Sequence, residues 1–190
     1  SGISDASWKL MMVSSLLSTW KKRATTFPGS LALNFATHSE TGTEAFGERV
    51  AALVEPGCVI GLVGPLGAGK TAFVRGLARG LGVEEGVVHS PTFLSATEYE
   101  GRVPLAHVDL YRHEDHLPHP DWLAELLDGE RVAVVEWFER LGSGAPPDVL
   151  HISIRYGGAG SDDRLFEVTA SGPRARRALE RLGSEREIAA

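Results

Sequence analysis

The run Gly64-Pro65-Leu66-Gly67-Ala68-Gly69-Lys70-Thr71 matches the pattern G-x-x-x-x-G-K-[ST] at every fixed position. That spacing suits polyphosphate. Glycines let the backbone curl until successive N–H groups point inward and approach phosphate oxygens closely. A helix starting at this point adds partial positive charge from its N-terminus. Lys70 offers a compact, mobile ammonium to the terminal phosphates, and Thr71 a hydroxyl to Mg²⁺. Of the 19 basic residues only Lys9, Lys21, Lys22 and Lys70 are lysines, so beyond residue 22 this chain relies on arginine everywhere except here. A planar guanidinium does not replace a point-charge ammonium at such a site. The residues predict nucleotide binding.

Phosphate chemistry also needs acids to hold a metal and order a water. Two carboxylates stand at the ends of apolar runs: Asp109 after Leu105-Ala106-His107-Val108, and Glu136 after Val132-Ala133-Val134-Val135. Ligands of open α/β sheets bind at the carboxyl ends of strands, which would bring both acids beside the phosphate loop. Each acid has a plainer alternative, capping a strand or pairing with Arg112 or Arg140. His107, His113, His116 and His119 lack a recognised zinc spacing and read as a polar loop. Ser90-Pro91-Thr92-Phe93 reads as a loop near the nucleotide.

Alternating strands and helices must position these groups. Strands are predicted at Leu31 to Phe35, Cys58 to Val63, Leu105 to Leu110 and Val132 to Val135, and helices at Glu40 to Val54, Thr71 to Leu81 and Trp122 to Leu127. Val149 to Tyr156 and Leu165 to Ala170 alternate apolar and polar residues about a Gly-rich loop, the pattern of an antiparallel hairpin, and Arg174 to Leu182 is a basic amphipathic helix. The expected fold is α/β: a doubly wound, three-layer sandwich of the P-loop NTPase kind, its mixed sheet carrying antiparallel strands at the C-terminal end.

Composition sets outer limits. The chain has 190 residues and a formal net charge of -6, of which residues 1–30 contribute +3 (four basic residues against Asp5) and the rest -9. An acidic domain does not coat nucleic acid through bulk charge. No apolar run reaches the roughly 20 residues of a membrane-spanning helix. The single Cys58 excludes an internal disulfide framework and fits a reducing compartment, so a cytoplasmic location is expected. Residues 1–30, with Trp8, Met12, Leu16 and Trp20 at helical spacing, read as an N-terminal extension or leader; residues 31–190 form the nucleotide-binding domain.

Taken in order, Gly64 to Thr71, Ser90-Pro91-Thr92-Phe93, His107-Val108-Asp109-Leu110-Tyr111-Arg112 and Val135-Glu136-Trp137 resemble the TsaE (YjeE) family, the bacterial ATPase component of tRNA threonylcarbamoyladenosine synthesis. The resemblance spans roughly residues 31 to 175. It implies a P-loop ATPase that uses ATP and Mg²⁺ and supports turnover of the TsaD and TsaB proteins, touching tRNA only indirectly. It further implies that Gly64 and the stretch Gly67, Ala68, Gly69, Lys70, Thr71 and Ala72 hold the phosphates, and that Thr71 and Glu136 serve the metal. Lys70, Asp109 and Glu136 then carry catalysis, while Glu40, Thr43 and Arg164 reach the nucleotide. This chain departs from the family at Ala72, where a second threonine is common, at Phe138 in place of a proline, and over His113 to Asp121. Two other readings share the phosphate loop: a small-molecule kinase, which needs an acceptor pocket and usually an arginine-bearing lid, and a nucleotide-gated interaction module without significant catalysis.

Overall fold

A computed structural model describes residues 31–88, 96–111, 124–127, 129–158 and 162–188. The expectations for residues 1–30, for Ser90 to Phe93 and for His113 to Asp121 lie outside the described residues. Seven strands, β1 (Leu33–Thr37), β2 (Val59–Val63), β3 (Ala96–Tyr99), β4 (Leu105–Asp109), β5 (Val132–Glu136), β6 (Val149–Tyr156) and β7 (Arg164–Ser171), form one mixed sheet in the order β1-β7-β6-β2-β5-β4-β3. β6, β2, β5 and β4 run parallel at its centre. The β6–β7 hairpin is antiparallel as expected.

Both edges hold features that the sequence pattern did not reveal. β3 pairs antiparallel with β4, yet Ala-Thr-Glu-Tyr has too little apolar alternation to read as a strand. β1 joins antiparallel to β7; it lies two residues later than expected, because its alternation continues to Thr37, where the hydroxyl meets Thr43 Oγ1 at 2.9 Å.

Three helices, α1 (Glu40–Ala51), α2 (Lys70–Gly80) and α3 (Pro173–Ile188), complete the described regular structure apart from short helical pieces. Phe46, Val50, Phe73, Leu77, Leu179 and Leu182 from these helices share one core with Ile60, Leu62, Val134 and Ile152 of the sheet. Among the described residues the other face is covered by Leu126 and by Phe138 and Leu141 of a 3₁₀ segment, Phe138–Gly144. α1 ends earlier than its apolar pattern suggests. Leu53 and Val54 stay buried, but they follow in a tight turn, Leu53 N–H bonding Val50 O at 3.0 Å.

α1 and α2 touch backbone to backbone. A Cβ on Gly76 would lie 1.8 Å from Glu44 O, and one on Gly47 would lie 2.2 Å from Phe73 O. Only glycine permits this approach, and it fixes what comes next. The close packing carries the N-terminus of α1, capped by Ser39 Oγ on Gly42 N–H at 2.9 Å, up against the loop before α2, where Thr43 would meet a Cβ on Gly69 at 3.5 Å.

Candidate nucleotide site

β2 ends at Val63 and α2 begins at Lys70, so the loop between them closes over the carboxyl edge of the sheet. Gly69, at φ +100°, is the N-cap of α2, and no side chain bonds the helix N-terminus there. A helix start without a capping side chain leaves N–H donors facing the loop's concavity. Gly64 is required for a different reason: a Cβ on it would sit 2.4 Å from Ile154 O.

Lys70 is almost wholly buried, and its Nζ donates to Gly64 O at 2.8 Å and to Pro65 O at 3.0 Å. The same ammonium stands 4.0 Å from the Trp137 ring centre, a cation–π contact on the order of 1 kcal/mol. Burial pulls its pKa below the usual lysine value, while Glu136, then Glu139 and Asp109, act in the opposite direction. Trp137 reaches this position through a left-handed backbone, φ +58°, which among the described residues no other non-glycine shows. That turn directly follows Glu136 and swings the ring over the lysine.

The two acids meet as parallel neighbours, since Asp109 and Glu136 are register partners on β4 and β5. Glu136 is buried; its Oε1 accepts from Thr71 Oγ1 at 3.1 Å and bonds His107 Nε2 at 3.0 Å. Asp109 accepts from the Tyr111 N–H at 2.9 Å, a local turn bond that leaves it on the cleft wall.

A cleft of about 320 Å³ gathers most of the expected residues: Glu40, Thr43, Gly67, Gly69, Lys70, Thr71, Ala72, Asp109, Glu136 and Arg164. Gly64 and Ala68 do not line the cleft, and Ala68 is fully buried. Arg164 Nε donates to Ala68 O at 3.1 Å, and its guanidinium lies 4.9 Å from the Tyr156 ring centre. Glu40 bonds Arg75, which also donates to Glu44 through Nε at 2.9 Å, so α1 and α2 are pinned together at the cleft rim.

Leu66, Arg75, Tyr111, Trp137 and Asp162 also line the cleft; Leu66, Tyr111 and Trp137 stand within the sequence motifs but were not expected as site residues, and Arg75 and Asp162 were missed. Of the two expectations for His107, the apolar strand Leu105 to Leu110 and a polar loop shared with the later histidines, the structure bears out the strand: the histidine is fully buried in β4 between Ala106 and Val108. Its position two residues before Asp109 was the available signal, since alternate strand residues share a face. Phe138, the departure after Trp137, packs flat over Gly61, where a Cβ would come 2.6 Å from the ring.

The family described as "Threonylcarbamoyl adenosine biosynthesis protein TsaE" matches residues 37–164, a span holding every cleft residue named above. The chain belongs to the TsaE family. The tRNA threonylcarbamoyladenosine biosynthesis protein TsaE of Bacillus subtilis is 40% identical over 151 residues, covering 79% of this chain and 93% of that relative. The TsaE protein of Treponema pallidum is 42% identical over 120 residues, covering 63% of this chain and 88% of the relative. Among solved structures, B. subtilis YdiB superposes with a TM-score of 0.67 at 34% identity, over 82% of this chain and 97% of that one. No helix among the described residues is long and apolar enough to cross a membrane.

Proposed function

We propose that this TsaE-family chain is a P-loop ATPase of the cytoplasmic machinery that makes threonylcarbamoyladenosine in tRNA, binding ATP with Mg²⁺ and supporting turnover of TsaD and TsaB. The carrying observation is that the uncapped start of α2, Lys70 and the Thr71–Glu136 pair face one cleft. The family membership and the names of its relatives support the pathway.

Each group then has a distinct task. The N–H groups at Gly67 to Thr71 receive phosphate oxygens, with the helix N-terminus favouring their charge. Lys70 exchanges the Gly64 and Pro65 carbonyls for the β- and γ-phosphates. Its ammonium is already desolvated, so its attraction to phosphate is screened little. Thr71 and Glu136 offer only hard oxygen donors beside a second carboxylate, the set that suits Mg²⁺. Bound there, the ion would supply charge neutralisation between the phosphates. Asp109 and Glu136 orient the attacking water, and Arg164, held in place by Ala68 O, extends the positive wall of the cleft.

Calorimetric titration with ATP and Mg²⁺ tests the binding half, and co-purification with TsaB and TsaD, with and without ATP, tests the assembly half. Saturable binding that Lys70→Ala abolishes, with ATP-dependent co-purification, is expected. No binding by the unaltered chain overturns the reading, and phosphoryl transfer to a small alcohol or nucleotide would replace it with the kinase.

A further inference from the structure

His107 occupies the boundary between the core and the acids. On β4 and β5 the paired positions that share one face run Leu105 with Val132, His107 with Val134, then Asp109 with Glu136. The series passes from wholly apolar to wholly ionic in one step, and the imidazole sits on that step. His107 and Glu136 are both essentially inaccessible, at 0% and 3% side-chain exposure, and Nε2 lies 3.0 Å from Oε1. Among the described residues Nδ1 has no hydrogen-bond partner.

These contacts assign the donor. A carboxylate accepts and does not donate, so the Nε2 facing it at 3.0 Å carries a proton and donates to Oε1. Among the described residues Oε1 of Glu136 thus takes two bonds, from His107 on β4 and Thr71 on α2, whereas Oε2 has the longer Thr71 contact at 3.4 Å.

We propose that His107 is a positioning residue: its Nε2–H fixes Oε1 of Glu136 and so turns Oε2 toward the cleft, where the carboxylate meets the magnesium ion of the bound nucleotide. The inference rests on the nucleotide reading above. It assigns His107 no contact with nucleotide and no proton transfer. A carboxylate tied from both sides loses little freedom when it binds a metal, and removing a partner of a metal ligand typically weakens binding by about 10- to 100-fold.

The test compares His107→Gln with His107→Asn in the full chain. A glutamine amide reaches as far as Nε2, while an asparagine falls short. Calorimetry with a non-hydrolysable ATP analogue, in Mg²⁺ and again in EDTA, separates metal-dependent from metal-free binding. His107→Gln is expected to bind within about twofold of the unaltered chain, and His107→Asn to lose about tenfold in Mg²⁺ but nothing in EDTA. Equal losses in the two variants, or an equal loss with and without Mg²⁺, would overturn the proposal. Should His107→Asn fail to fold, His107→Gln decides alone: retained Mg²⁺-dependent binding supports the role, and its loss refutes it. Imidazole ¹⁵N spectra of the unaltered protein give an independent reading, with the Nε2–H tautomer expected and an Nδ1–H tautomer contradicting the assignment. Failure of the unaltered chain to bind the analogue at all would instead count against the nucleotide reading, and the spectra would still judge the His107–Glu136 link.

Discussion

Thr71 and Glu136, 65 residues apart in the chain, are joined by a 3.1 Å hydrogen bond from the Thr71 hydroxyl to Glu136 Oε1. The contact exists because β2 and β5 are adjacent parallel strands, with Leu62 beside Glu136. The loop leaving one strand therefore closes over the acid that ends the next.

Glu136→Gln keeps the shape and a hydrogen-bonding oxygen but removes the charge. Nucleotide binding in Mg²⁺ should weaken by about tenfold or more, as expected for a metal ligand that loses its charge, while hydrolysis at saturating nucleotide falls by at least roughly 100-fold, the usual scale for losing a group that orients or activates the attacking water. Phosphate release in single-turnover mixtures measures this. A rate unchanged from the unaltered protein would remove Glu136 from the chemistry.

Lys70→Ala and Lys70→Arg should both lose phosphate binding, the second because a guanidinium is too large and planar for the space beneath Trp137. The stability of Lys70→Ala should change by no more than about 1 kcal/mol, because the desolvation of the buried ammonium offsets its bonds to Gly64 and Pro65. Urea unfolding checks this, and failure of Lys70→Ala to fold would refute it.

The close contact of α1 and α2 predicts a sharp contrast between two glycines. Gly76→Ala places a methyl 1.8 Å from a carbonyl oxygen of the neighbouring helix, whereas a Cβ on Gly144 meets nothing within 4 Å. Gly76→Ala should destabilise by about 2–4 kcal/mol and Gly144→Ala by no more than about 0.5 kcal/mol. Because α1 carries Glu40 and Thr43 to the cleft, Gly76→Ala should also weaken nucleotide binding in whatever protein still folds. Equal effects at the two positions would contradict the packing described.

Cys58 gives a pH signature. Burial, aided by Asp148 and Glu55 and opposed by Arg174, pushes its thiol from 9.0 to about 12. Between those values the folded protein keeps a proton that the unfolded chain has lost, so this group's contribution to stability is full below pH 9 and declines as pH rises. The slope approaches about 1.4 kcal/mol per pH unit. Cys58→Ala should flatten the alkaline part of the stability curve by that amount, measured as unfolding free energy against pH. An identical slope in both proteins would refute the assignment.

How much of this was legible beforehand differs from residue to residue. The strand–loop–helix path through Gly64 to Thr71 could be read completely, because its pattern is local: eight consecutive residues and the helix after them. Asp109 and Glu136 could be read as candidates, since four residues of strand precede each acid and strand ends face the ligand. Their register, and hence the pairing, depends on which strands are neighbours, and no local pattern specifies that. His107 could be read both within an apolar strand and within a polar loop, for a related reason. Its type suggests a surface, but its burial is decided by Ala106, Val108 and the whole of β5. Trp137 depends on a single left-handed residue that its side chain does not announce. The close approach of α1 and α2 lay in Gly47 and Gly76, which look like interruptions of two helices until the helices are brought together.

Whether this cleft turns over ATP in the service of TsaD and TsaB is tested most directly by ATP hydrolysis of the unaltered chain, alone and with both partners, with Glu136→Gln run beside it. Slow turnover alone, a clear rise when TsaD and TsaB are added, and neither in Glu136→Gln are expected. Equal turnover with and without the partners, or none in either case, would contradict that role.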